Sequence, residues 1–152
     1  MIEPAQVRRW VAGAARSSTT APATLCTLLV DERAPGAPFG TPVPFAVLDD
    51  GRPVIVVSSL AVHTHNLRAD PRASLVVVEG PAQGWRVTLV GRFVEARGDD
   101  AAAARAAHEA LHGSFGLPGF FPFVLDVDHA RVVAGFGQQA WLTGADVTGP
   151  SR

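Results

Sequence analysis

The chain has 152 residues, 47% of them hydrophobic, with 13 basic against 14 acidic side chains. That is enough apolar chain for one domain with a real core, and the near balance of charge offers no basic surface for nucleic acid or an anionic membrane. Lysine and tyrosine are both absent, which excludes lysine Schiff-base chemistry and the lysine of a P-loop.

Glu3-Pro4 opens a predicted helix to about Arg16, with Val7, Trp10, Val11 and Ala14 on one face. A polar break from Ser17 to Pro22 follows, so residues 1–20 read as an N-terminal helix and linker, and residues 21–147 as the main domain. Ala23 to Asp31 is a predicted strand. It contains the single Cys26, which reads as a core thiol, cannot form an internal disulfide and points to a reducing cytoplasm. Glu32 to Gly40 reads as a loop, and Thr41 to Leu48 as a strand whose Pro42 and Pro44 predict an edge or bulged beginning. Asp49-Asp50-Gly51 signals a hairpin into a third strand, Pro53 to Ser59. A short polar helix then ends at Asp70-Pro71, and Ser74 to Glu79 is the next strand.

Gly80-Pro81 and Gln83-Gly84 frame a turn into a long strand, Trp85 to Arg97. In it Val87, Leu89, Phe93 and Glu95 share one side, and Arg86, Thr88, Val90, Arg92 and Val94 the other. Gly91 midway marks a bulge or bend. Gly98-Asp99-Asp100 predicts a helix with an aspartate cap, ending at Gly113, followed by a loop from Ser114 to Phe120. Phe121 to Val127 and Ala130 to Phe136 read as strands joined at Asp128-His129, Ala140 to Leu142 as a short last strand, and Ser151 and Arg152 as tail. The class is mainly β with peripheral helices, and the dense turns favour antiparallel strands closing into a barrel. No charged-then-apolar leader opens the chain, and no apolar run nears the roughly 20 residues that span a bilayer.

The organising stretch is Pro53 to Val78: a β-branched run ending in Ser58-Ser59, a helix bearing hydroxyl, imidazole, amide and guanidinium groups, and a returning β-branched run. Such a corner can hold a phosphate, because helix-start N–H groups point outward and small hydroxyls let an anion approach. Ser58, Ser59 and Thr64 read either as ligand contacts or as strand-end and cap residues. His63 reads as a phosphate donor or a surface histidine, whereas His65, two positions on, faces another side. Asn66 reads as a ligand contact or a bond to its own turn, and Arg86 as a phosphate clamp or a solvated strand residue. Arg68 and Arg72 read as surface charges. Trp141, Phe136 and Trp85 read as cover for a flat cofactor ring, as a dimer seam or as plain core. His108-Glu109-Ala110-Leu111-His112 matches the zinc-peptidase pattern, but the second histidine falls on the last helical turn and no clear third ligand is offered beyond His129 or Asp126, so no metal site is expected.

Three stretches carry a resemblance. They are Pro38-Phe39-Gly40-Thr41-Pro42-Val43-Pro44-Phe45-Ala46, then Ser58-Ser59-Leu60-Ala61-Val62-His63-Thr64-His65-Asn66-Leu67, then Asp70-Pro71-Arg72-Ala73-Ser74-Leu75. Together they resemble the pyridoxamine-5'-phosphate-oxidase-like split barrels, and within them the haem-utilisation branch, as do Arg86 to Arg92 and Val133 to Leu142. The resemblance implies a six-stranded antiparallel split β-barrel, a homodimer with FMN at its interface, and flavin-dependent oxidoreduction of a small-molecule substrate. By position it assigns the phosphate to Ser58, Ser59, His63 and Thr64, with Arg86 reaching from a neighbouring strand and residues 43 to 45 along the flavin ring. With Asn66 and Trp141 these form the candidate cofactor-binding set. No side chain stands out as a catalytic acid or base, which leaves the chemistry to the flavin. His63 and Thr64 stand where the oxidases carry an Arg-Lys pair, and their C-terminal arginine and histidine motif has no counterpart after Trp141, so formation of pyridoxal phosphate is not expected. The alternatives are haem binding or degradation, a deazaflavin cofactor, and a non-enzymatic binding module.

Overall fold

The computed structural model describes residues 1–79, 84–114, 118–135 and 137–149. The expected turn over Gly80 to Gln83, part of the 114–120 loop, Phe136 and the tail Ser151-Arg152 therefore lie outside the described residues.

Helix α1 spans Pro4–Arg16, with Pro4 in its first turn, where a missing N–H costs nothing; Val7, Val11 and Ala15 are buried. The strands are β1 (Ala23–Leu28), β2 (Pro38–Val43), β3 (Ala46–Val47), β4 (Pro53–Ser58), β5 (Arg72–Val78), β6 (Arg86–Glu95), β7 (Phe120–Ala134) and β8 (Gln138–Thr143). The other helices are α2 (Val62–Ala69), α3 (Gly98–His112) and α4 (Gly144–Val147). One antiparallel sheet runs β2-β1-β5-β6-β7-β4-β3, with β8 beside β7, and curls into a split half-barrel. The mainly β class and the N-terminal helix are as expected, with two strands more than the six of the resembled barrel.

β7 is the spine. Its first half pairs with β4, its second half with β8, and most of its length with β6. The polar pair Asp128-His129 reads as a turn in sequence, yet both residues are exposed on one continuous bent strand. The β6–β7 register shifts between Val90 and Gly91. Gly91 is required there, since a Cβ would lie 1.9 Å from the Asp126 carbonyl oxygen. The inner face carries Leu25, Ile55, Leu75, Leu89, Phe93, Phe123 and Leu125, all buried. The alternation read along β6 holds: Val87, Leu89 and Phe93 face in, and Arg86, Val90, Arg92 and Val94 face out.

The expected single strand over 41–48 is instead β2 and β3, separated at Pro44-Phe45, because Pro44 has no N–H to give to a ladder. β2 also begins earlier than its Gly/Pro composition suggests, pairing from Pro38 with Leu28. The expected aspartate cap of α3 is not used. Arg97 is the N-cap, without a side-chain bond, while Asp99 and Asp100 sit in the first turn, where the helix dipole favours negative charge. α4 was not anticipated, although its Thr143–Asp146 capping box is a readable signal. Among the described residues, no helix is long and apolar enough to cross a membrane.

Candidate functional site

The corner forms where β4 hands over to α2. Ser58 Oγ accepts from the Leu60 N–H at 3.2 Å, and the Ser59 N–H donates to the Gly119 carbonyl at 2.8 Å, which ties the corner to the start of β7. Thr64 is fully buried and its hydroxyl donates to the Ser58 carbonyl at 2.6 Å, so it braces the turn from inside. Asn66 is also fully buried. Its side-chain oxygen accepts from the Val30 N–H at 3.1 Å and its amide donates to Thr27 Oγ1 at 3.0 Å. The Asn66 side chain thus bonds across to the β1 end and not to its own turn. It is a strut from α2 to the β1 end, and that long-range pairing has no local sequence signal.

What remains open at the corner is Ser58, Ser59 and His63. His63 is half-buried, and its Nδ1 lies 3.0 Å from Thr41 Oγ1 on β2. Burial holds its pKa below the ordinary imidazole value, which favours the uncharged ring. It is flanked by Leu60, 88% exposed, and Val62, 48% exposed. Two hydroxyls, an imidazole and an apolar rim suit a flat apolar ligand with an anionic group better than a free phosphate, which would call for fixed positive charge. His65 is exposed, as expected. Arg68 pairs with Glu95 at 2.9 Å and lies over Phe121, and Arg72 pairs with Asp70 at 2.7 Å, so both are surface ion-pair residues.

Arg86 and Trp141 stand elsewhere in the subunit. Ser58 pairs with Phe120 at the start of β7, whereas Arg86 pairs with Val133 near its end. Thirteen residues of strand separate the two positions, roughly 40 Å along the strand. Arg86 is therefore not a strand neighbour of the corner within one subunit; β4 has β3 and β7 as neighbours, not β6. Trp141 on β8 is 64% exposed and pairs with Arg131, whose guanidinium lies 5.5 Å from the indole centroid. Arg131 also donates to Gln139 Oε1. Arg86, Arg131 and Trp141 form a second group on the outer sheet face. Arg131 escaped sequence reasoning because only the β7–β8 register brings it to the indole. Trp85 belongs to neither group: it is buried and stacks on Trp10 at 5.2 Å.

The zinc-like motif lies away from the corner. His112 Nε2 donates to the Phe45 carbonyl at 2.7 Å while Nδ1 meets Thr19 Oγ1 at 2.6 Å, so both ring nitrogens are engaged by protein groups. His108 is buried with its ring centroid 4.8 Å from that of His112. Burial first, and then the neighbouring His112, push its pKa from 6.5 down to about 4, against a hydrogen bond to the Pro44 backbone. The unfolded chain takes up this proton below 6.5 and the folded chain only near 4, so the stabilisation is complete above 6.5 and is lost as pH falls toward 4. The loss is expected to reach about 3 kcal/mol. Urea unfolding at pH 7.5 and 4.5 checks it: His108→Gln should flatten the difference, and equal slopes in both proteins would contradict the assignment.

Residues 15–134 match the pyridoxamine 5'-phosphate oxidase family. The chain belongs to that family. Within it the likeness is to the haem-utilisation branch. A structure described as a heme binding protein from Mycobacterium smegmatis is 34% identical, with a TM-score of 0.74 over 91% of this chain and 60% of that one. The chloroplastic heme oxygenase HOZ of Arabidopsis thaliana is 41% identical over 93 residues, 59% of this chain and 29% of HOZ. HutZ of Vibrio cholerae, described as a heme storage protein, shares the fold with a TM-score of 0.63 at 17% identity, over 94% of this chain and 95% of HutZ. The chain thus spans under two thirds of the mycobacterial protein and under one third of HOZ.

Proposed function

We propose that this family member binds haem, and that each site is built from two copies of the chain. The observation that carries the reading is His63, held by Thr41 between the exposed Leu60 and Val62. An apolar tetrapyrrole with carboxylate arms matches an apolar rim with a few polar groups. Bound haem would supply redox-active iron, with His63 as the polar contact, Leu60 and Val62 as apolar cover, and Ser58 and Ser59 for a carboxylate arm. Likeness to a heme binding protein and to a heme oxygenase supports this ligand.

The separation of the two candidate groups supports a homodimer. A twofold axis presents each surface twice, so the corner of one subunit can meet the Arg86–Arg131–Trp141 face of its partner. The exposed Leu60 and Trp141 would lose their contact with water in doing so. In this reading the chain works in a reducing cytoplasm, where Cys26 stays a thiol. The test is His63→Ala, which should weaken haem binding about tenfold and shift the Soret maximum. An unchanged spectrum and affinity would remove His63 from the site.

The second reading is an FMN-dependent oxidoreductase, with deazaflavin as the variant cofactor. Family membership and the serine pair where β4 ends, ahead of α2, favour it. It needs positive charge at the phosphate, which the lowered pKa of His63 disfavours and Arg86 could bring from a partner subunit.

A further inference from the structure

Arg33, Arg52, Arg68 and Arg72 each meet a carboxylate. Among the described residues Arg86 and Arg131 meet none, although the sheet sets them side by side. The register places Thr88, Arg131 and Trp141 in one row across β6, β7 and β8, and Arg86, Val133 and Gln139 in the next. Side chains directly opposite share a face, and diagonal neighbours lie roughly 7–8 Å apart, within reach of long side chains. Arg131 shows that reach: it donates to Gln139 Oε1 across one diagonal, and its guanidinium lies 5.5 Å from the Trp141 centroid. Arg86 is its diagonal neighbour on the other flank, exposed on β6. Two like charges so placed repel, and an anion between them relieves the repulsion. Trp141 stands apart from its two counterparts in the same way. Trp10 and Trp85 stack on each other, whereas Trp141 is 64% exposed. An uncovered indole beside an arginine fork that a glutamine orients is a surface for a flat ring carrying acidic groups.

We propose that Arg131, seconded by Arg86, binds the carboxylate arms of haem and is presented by one subunit to the α2 corner of its partner. The proposal rests on the reading of that corner as the haem site. The corner itself offers a carboxylate the Ser58 and Ser59 hydroxyls beside His63, and exposes Leu60 and Val62 to the ring. Neutral hydroxyls leave much of a carboxylate's charge uncompensated once water is displaced. A guanidinium fork matches both carboxylate oxygens and stays charged throughout the working pH range. Gln139 and Trp141 hold Arg131 in place before the ligand arrives, which lowers the ordering cost of binding. The consequence is specificity for a porphyrin with free carboxylates over one whose arms are uncharged.

The experiment titrates haem, and haem with both carboxylates capped as methyl esters, into the unaltered protein, Arg131→Ala and Arg131→Lys, read by the Soret band. Arg131→Ala should bind haem about tenfold more weakly, and the diester as the unaltered protein does. Arg131→Lys keeps the charge but not the fork, should lose about threefold, and decides the matter if the alanine variant fails to fold. Equal haem affinity in all three proteins would overturn the proposal and leave the haem reading standing. An equal loss for haem and diester would also overturn it, since that marks a structural role. Mixing tests the sharing between subunits. His63→Ala and Arg131→Ala chains refolded together should recover tight binding at about one site in four, because each mixed dimer rebuilds one intact site. No recovery would overturn presentation by the partner. No Soret change with the unaltered protein would overturn the haem reading and the proposal together.

Discussion

Gly91→Ala is expected to cost at least about 3 kcal/mol, a large share of the total stability of a domain this size. The added Cβ would lie 1.9 Å from the Asp126 carbonyl oxygen, 2.9 Å from its carbon and 3.1 Å from Val127 Cα. All three are backbone atoms of β7, so relief requires prising apart β6 and β7, the pair through which the two halves of the sheet communicate. Gly144→Ala should behave alike, since its Cβ would fall 1.8 Å from the Val127 carbonyl oxygen on the same bend. Gly40→Ala is the control: its nearest neighbour is the Thr24 methyl at 3.5 Å, an ordinary contact, and its effect should stay within about 1 kcal/mol. Denaturant midpoints for the three variants check the ranking. A Gly91→Ala protein as stable as Gly40→Ala would mean that the bulge does not hold β7 in this bend.

Asn66→Ala is expected to cost about 3 kcal/mol and to loosen the ligand corner as well. The side chain is fully buried and joins α2 to both Thr27 and Val30, so its removal leaves a cavity and two polar groups without their partner. Because α2 carries His63, haem binding should weaken even where the variant remains folded. His65→Ala, on the exposed side of the same helix, should change stability by less than about 0.5 kcal/mol. Calorimetry on the pair, with haem titration of the folded proteins, checks both parts. Equal behaviour of the two variants would contradict the strut assignment.

Much of the fold is legible in local pattern. Val7, Trp10, Val11 and Ala14 sit at the spacing of one helix face, the β6 residues alternate, and Asp50-Gly51 turns β3 into β4. Where the reading departs from the structure, partners distant in sequence decide the outcome. Asp128-His129 looks like a turn but rides on a strand that is bent because Gly91 opposes it. Pro44 interrupts a strand because its neighbours pair with different strands. The site divides in the same way. The hydroxyl and imidazole groups of the corner are contiguous in sequence and could be found there. Which of them face outward could not, because Thr64 and Asn66 are drawn inward by Ser58, Thr27 and Val30. Arg86 is not beside the corner in the sheet because strand order, not strand content, sets which strands are neighbours.

The most direct measurement is titration of haem into the purified protein, read by the Soret band and by light scattering on the same sample. The expected result is a saturable red-shifted Soret band at one haem per subunit on a dimer, with bound FMN bands absent before addition. Saturation with FMN but not haem, or a monomer that takes up neither, would contradict the haem reading.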